Sequence, residues 1–241
     1  MNRSTQNLVL LLVGLSTAVM LVKGTYLNYV KPGLLPWLAV ASAALVVLGA
    51  VSIARDLRQA SAHDHDHDHD HDEHGHRHQP WLGWLLLIPI AMVAFVVPPA
   101  LDARGATPAA VSAPQRRAFP PLPPGDAPTV SLPEVVMRAA ADSTNSLAGR
   151  SITLTGFTLH QSGGVDLGRV VIVCCAADAQ LARVHLTGPE ASTAAEHPED
   201  TWLKIEGQIV PGSSHANDGY IPTMTVTSVT PVEKPANTYA Y

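Results

Sequence analysis

Residues 32–54 read PGLLPWLAVASAALVVLGAVSIA, a run without a single Asp, Glu, Lys or Arg. A helix crossing about 30 Å of hydrocarbon at 1.5 Å per residue needs roughly 20 apolar residues. This stretch therefore predicts a membrane span over about 34–53. Two further uncharged runs lie on either side of it, Ser4 to Val22 and Gln79 to Leu101. They predict spans over about 4–22 and 81–100, and hence a membrane α-helical region of three spans over residues 1–101. Arg3 ahead of the first run resembles the start of a secretory signal. The run ends in Met20-Leu21-Val22-Lys23-Gly24-Thr25-Tyr26, however, without the small-residue cleavage pattern, so an uncleaved helix is expected. Tyr26, Tyr29 and Trp37 suit the membrane–water interface, and Ala39, Ala43 and Gly49 offer small surfaces for helix packing. Trp81 and Trp84 mark the start of the third span; Pro89 is expected to kink it and Pro98-Pro99 to end it.

The charges in the short connections set an expected orientation. Arg3, Arg55, Arg58 and Arg77 fall on one side of the three spans, and Lys23, Lys31 and Arg104 on the other. The positive-inside rule assigns the first group to the cytoplasm, leaving the C-terminal half outside it, in a multi-pass protein of a bacterial cell membrane. The spans themselves carry no charge of the kind that marks a transport route.

Between the second and third spans, residues 61–78 form a His/Asp-rich loop. Imidazoles at His63, His65, His67, His69, His71, His74, His76 and His78 alternate with carboxylates at Asp64, Asp66, Asp68, Asp70 and Asp72. Together with Glu73 and against Arg77, these acids account for the whole formal net charge of −5. Neutral imidazole is a good ligand for Zn²⁺, Ni²⁺, Co²⁺ and Cu²⁺, carboxylates add oxygen donors, and a flexible chain can gather several of them round one ion. The tract is therefore expected to bind a divalent metal ion, with a preference that follows the Irving–Williams order and metal supply. A tract without preset geometry is not a catalytic metal site, which needs fixed ligands and an open position. Charge concentrated in one acidic loop leaves no broad basic surface for nucleic acid.

Beyond the third span the composition changes twice. Residues 102–128 are rich in Ala and Pro, with Pro120-Pro121 and Pro123-Pro124, and predict a semi-extended linker. In residues 129–241, Ser131, Pro133 and Glu134 predict the start of a short helix running to about Ala141. Strands are expected over Ser151–His160, Arg169–Cys174, Arg183–Leu186, Trp202–Val210 and Thr223–Val232, separated by turn signals at Ser162-Gly163-Gly164, Gly188-Pro189 and Pro211-Gly212-Ser213-Ser214. Five short strands in so few residues suggest a small all-β or α+β domain, with an OB-like barrel as the expected form.

The only two cysteines, Cys174 and Cys175, are adjacent, which fits neither a disulfide framework nor a CxxC motif. Neighbouring side chains on a strand face opposite ways. Both thiols can therefore reach one ion only if the strand breaks there, and the run Ala176-Ala177-Asp178-Ala179 suggests a turn or short helix at that point. Three readings stay open: metal ligands together with Asp178, His160 or His185; a vicinal disulfide; or at least one of the two as a small buried core residue. The scattered His160, His185, His197 and His215 read as surface or structural residues. A Ser/His/Asp signature, HExxH, a P-loop and GxGxxG are all missing from the sequence, so no catalytic residue is assigned and an enzyme is not expected.

The order of these features is similar to the YcgQ-like family of bacterial membrane proteins. The resemblance is carried by Tyr29-Val30-Lys31-Pro32 before the second span, by Gly149-Arg150-Ser151-Ile152-Thr153-Leu154-Thr155-Gly156-Phe157, and by Cys174-Cys175-Ala176-Ala177-Asp178-Ala179. It covers nearly the whole chain and implies the partner subunit of a multi-span permease, with links to zinc homeostasis. The expectation is an accessory subunit in contact with membrane lipid and a permease. Its inner loop would gather metal ions, and its outer domain would bind a ligand, a metal or the permease. Two rivals are a membrane-tethered thiol oxidoreductase using Cys174 and Cys175, and a barrel that binds a peptide or glycan.

Overall fold

A computed structural model of the chain describes residues 3–62, 100–102, 107–108 and 114–241. These fall into two units, Met1–Pro99 and Ala100–Tyr241. The His/Asp tract from His63 to His78 and the expected third span up to Pro99 lie outside the described residues.

In the first unit, α1 (Arg3–Val22) and α2 (Leu35–Ala62) pack against each other along their lengths. Gly24 at φ 72° turns the chain out of α1, and two 3-10 turns at Thr25–Asn28 and Pro32–Leu34 lead it back. Small residues permit the close approach. A Cβ at Gly49 would lie 3.0 Å from the Leu11 backbone, and one at Gly14 would lie 2.9 Å from the Val46 side chain. The buried Ser42 hydroxyl donates to the Gly14 carbonyl at 2.8 Å, and the Asn7 amide donates to Asp56 at 3.0 Å. Leu15, Trp37, Val40, Val47 and Leu48 point outward, leaving an apolar exterior. Among the described helices, one segment, Pro32–Asp56, is long and apolar enough to cross a membrane, and Gln6–Val22 is a shorter apolar helix. Helix α2 runs past the expected end of its span, because Arg55 to Ala62 contains no Gly or Pro and consists largely of good helix formers.

The second unit is a mixed sheet of five principal strands: β2 (Ser151–Gln161), β3 (Gly164–Val171), β4 (Gln180–Thr187), β5 (Trp202–Ile209) and β6 (Thr223–Pro231). A two-residue strand, β1 (Thr107–Pro108), lies parallel to the start of β4. Strand β2 pairs with β3 and β5, β3 with β4, and β5 with β6, all antiparallel. Strand β4 then pairs in parallel with β6, so the pairings return to where they began. Inside the ring, Ile152 and Leu154 of β2 meet Val165 and Leu167, Val184 and Leu186, Leu203 and Ile205, and Met224 and Val226. The helix α3 (Leu132–Ala141) adds Leu132 and Val135 to this core, and a short α4 (Ala191–Ala195) connects β4 to β5.

Strand β2 is buried on both faces along most of its length, whereas alternation alone suggests one wet face. Its later odd-numbered residues, Phe157 and Leu159, join Val170, Ile172, Ala179, Trp202 and Tyr239 in a second cluster. That cluster is closed by the C-terminal segment. The N–H of Ile172 donates to the Ala240 carbonyl, the N–H of Ala240 donates to that of Val170, and the Tyr239 hydroxyl accepts the N–H of Leu101 at 2.7 Å.

Strand β3 begins at Gly164 and ends at Val171, earlier at both ends than the sequence suggests. Gly164 reads as part of a turn, yet strand pairing with Gln161 absorbs it. The described part of the Pro-rich segment, residues 114–128, packs against the domain rather than standing free of it. Leu122 lies in the core, and Phe119 stacks under the guanidinium groups of Arg117 and Arg138. The N–H of Thr153 donates to the Pro128 carbonyl, and the N–H of Val130 donates back to that of Thr153. Ser131 stands at the N-cap of α3, although its side chain makes no capping bond there.

Candidate functional site

The connection from β3 to β4 is fixed at both ends by the second cluster, through Ile172 on one side and Ala179 on the other. Between them the chain leaves the sheet. Val173 is exposed, Cys175 is extended at φ −153° and ψ 172°, and Ala176–Asp178 forms one 3-10 turn. The strand thus breaks where the two cysteines stand. Asp178 holds the break in shape. Its Oδ1 accepts the N–H of Val173 at 2.8 Å, and its Oδ2 accepts those of Cys174 at 2.8 Å and Cys175 at 3.3 Å.

This geometry brings the two thiols to one side. The sulfurs lie 3.7 Å apart, and one ligand atom from each of Cys174, Cys175 and Asp178 falls within 4.8 Å of the others. Cys174 is exposed and Cys175 half-buried, and both are free thiols. Of the three readings left open by the sequence, core burial is therefore wrong for both cysteines. The physical reason is that Val170 and Ile172 take the inward positions, and the chain turns away before a thiol can follow them.

The electrostatics follow from the same contacts. A hydrogen bond from the Cys174 thiol, then that from the Val173 N–H, holds the Asp178 carboxyl down at about 2. The converse acts on Cys174, whose hydrogen bonds to Asp178 and to Cys175 push its thiol up to about 11. The turn is thus a protonated thiol facing an ionised carboxylate, beside a second sulfur.

His160 and His185 take no part in it. His160 stands opposite Val165 and meets the His197 carbonyl at 2.9 Å. His185 stands opposite Asp166 and meets its carboxylate at 2.7 Å. Both stand opposite the other end of β3, about 16–20 Å from Val171 at 3.3 Å per residue. Arg183 also reaches Asp166, at 3.5 Å. The sequence reading overlooked this group, whose signal was a lone acid in an apolar strand with Arg183 and His185 two apart on the next strand. The backbone carbonyl of His215 closes the turn that follows it, accepting the N–H groups of Asp218 and Tyr220. The tract residues expected to bind metal, His63 to His78 with Asp64 to Asp72, lie outside the described residues.

Two domain families match the sequence: the DUF1980 N-terminal domain over residues 5–107 and the DUF1980 C-terminal domain over residues 134–241. Among curated proteins and solved structures nothing matches the chain. With both domains present, in order and over most of its length, the chain belongs to the DUF1980 family.

Proposed function

We propose that this protein is a membrane-anchored accessory subunit that binds divalent metal ions, zinc foremost, and works beside a multi-span permease of the bacterial cell membrane. The observation that carries the reading is the Cys174–Cys175–Asp178 cluster. Zinc–thiolate bonds of about 2.3 Å in a tetrahedron set their sulfurs about 3.8 Å apart, and the two sulfurs here lie 3.7 Å apart. A vicinal disulfide fits less well. Adjacent Cα atoms across a trans peptide are about 3.8 Å apart, below the usual range of about 4.4–6.8 Å for a disulfide. Outside the cytoplasm, a bound ion protects thiols that would otherwise meet oxidants.

Several features support the rest of the proposal. The ring of pairings, with a parallel closure between β4 and β6 and a short helix before β5, favours an OB-like barrel. Three spans, with the His/Asp tract on the cytoplasmic face and the barrel outside, follow from the apolar runs and the distribution of Arg and Lys. The permease partner and the zinc context rest on the likeness to YcgQ-like proteins. The tract gathers ions and the outer turn holds one. We favour binding over thiol redox catalysis because adjacent cysteines, with Cα atoms about 3.8 Å apart, close only a strained ring, unlike the CxxC pair of a thiol oxidoreductase.

The test is zinc titration of the full chain in detergent, in competition with a chromophoric chelator. Cys174→Ser with Cys175→Ser should remove one bound ion, and replacing the eight tract histidines by Asn should remove the others. Unchanged stoichiometry in the cysteine variant would sink the outer site. Failure to recover any multi-span membrane protein after cross-linking in cells would sink the partner.

A further inference from the structure

The ligand set at the turn is incomplete, and the way it is incomplete indicates what completes it. Asp178 has little left to give, since Oδ1 already accepts one backbone N–H and Oδ2 accepts two. It can therefore offer an ion one oxygen at most without releasing the turn. Among the described residues, no further His, Cys, Asp or Glu joins the cluster. Two thiolates and one carboxylate oxygen make three ligands, one short of the four of a closed zinc site. The missing side is open: Cys174 is exposed, and the neighbouring Val173 is 68 % exposed.

We infer that the ion held at Cys174, Cys175 and Asp178 keeps one exchangeable position for an incoming neutral nitrogen donor of the imidazole class. The inference rests on the metal-binding reading above and adds to it what the bound ion meets next. Charge decides between donors. Two thiolates and a carboxylate around a divalent ion leave a net charge of −1, so a further thiolate or carboxylate approaches against repulsion. A neutral imidazole does not, and it suits the borderline ions that such a site selects. The site is then a place where an ion is passed on rather than stored. Its fourth ligand is a histidine side chain of another protein, of a second copy, or free histidine.

Cobalt(II) reports each step separately. In the full-length protein in detergent, a thiolate-to-cobalt charge-transfer band shows that the cysteines hold the ion, and the visible bands show its coordination number and fourth ligand. Added imidazole is expected to shift the visible bands saturably while the charge-transfer band persists. Acetate should need at least about fivefold higher concentration, the factor set by one unit of charge repulsion at 4 Å across water. The same titration after replacing the eight tract histidines by Asn distinguishes sources. Bands that begin in the shifted position only in the unaltered protein identify the tract, which in detergent no membrane separates from the turn, as the donor, whereas equal starting bands identify an external one. Visible bands that imidazole does not move, loss of the charge-transfer band on adding it, or equal affinity for acetate would each overturn the inference. Absence of any charge-transfer band would instead overturn the metal-binding reading beneath it.

Discussion

Replacing Asp178 by Asn removes the negative charge that faces Cys174 while keeping the size of the side chain and one acceptor oxygen. Hydrogen bonding to Asp178 is the largest cause that lifts the Cys174 thiol from the ordinary 9.0 to about 11. Because the pKa is raised, Cys174 is protonated across the whole neutral range and gains reactivity only as pH climbs toward 11. At pH 8 the shift reduces the thiolate fraction by about a hundredfold, and the thiolate is the reacting species. A more basic thiolate is also a better nucleophile, with a Brønsted slope of about 0.4–0.5, which restores roughly six- to tenfold. The net suppression is about 10- to 15-fold, and Asp178→Asn should relieve most of it. The assay is the rate of iodoacetamide alkylation between about pH 6 and 10. It is run in a Cys175→Ser background, so that a single thiol reports while a hydroxyl replaces the neighbouring sulfur. The expected result is a rise of up to about tenfold at pH 8 and a rate profile displaced to lower pH. An unchanged rate, or a slower one with circular dichroism showing an intact fold, would refute the hold of Asp178 on the Cys174 proton.

Three further outcomes follow from packing and buried charge. Gly49→Val should force α2 away from Leu11 and cost the helical hairpin about 1–3 kcal/mol, read from its thermal unfolding in detergent. Tyr239→Ala empties the second cluster beneath the cysteine turn and should cost about 3–5 kcal/mol in urea unfolding, whereas Tyr239→Phe should cost only about 1 kcal/mol for the lost bond to Leu101. Burial raises the Asp142 carboxyl, but hydrogen bonds from the hydroxyls and N–H groups of Ser146 and Thr144 outweigh it and hold the group well below the usual range. Its contribution is therefore present above about pH 4 and lost as pH falls through the lowered value. Asp142→Ala should cost about 2–3 kcal/mol at pH 7 and flatten the acid limb of the stability curve.

Periodicity and punctuation carried much of this architecture. The first two apolar runs became α1 and α2, and each expected strand overlaps an observed one, because Gly188-Pro189 and Pro211-Gly212 stop a strand wherever they stand. Contacts distant in sequence were invisible. Phe157 and Leu159 look like the wet face of β2 until Tyr239 covers them, and Leu122 looks like linker until it enters the core. At the site, the break between Ile172 and Ala179 was legible from the run Ala176-Ala177-Asp178-Ala179. The role of Asp178 was legible only in part. Its type suggested a metal ligand, but its three backbone hydrogen bonds depend on how the turn closes. The removal of His160 and His185 from the site required strand register, which one sequence does not supply.

The platform under the cysteine turn also imposes an order in time. Tyr239 stands 65 residues after Cys174. At roughly 5–20 residues per second, the cysteines are made about 3–13 seconds before the ring that seals the cluster below them. Throughout that interval Ile172 and Ala179 have no lid, and the turn between them has no fixed floor. The folded geometry of the turn is therefore supported from below only after Tyr239 has been made.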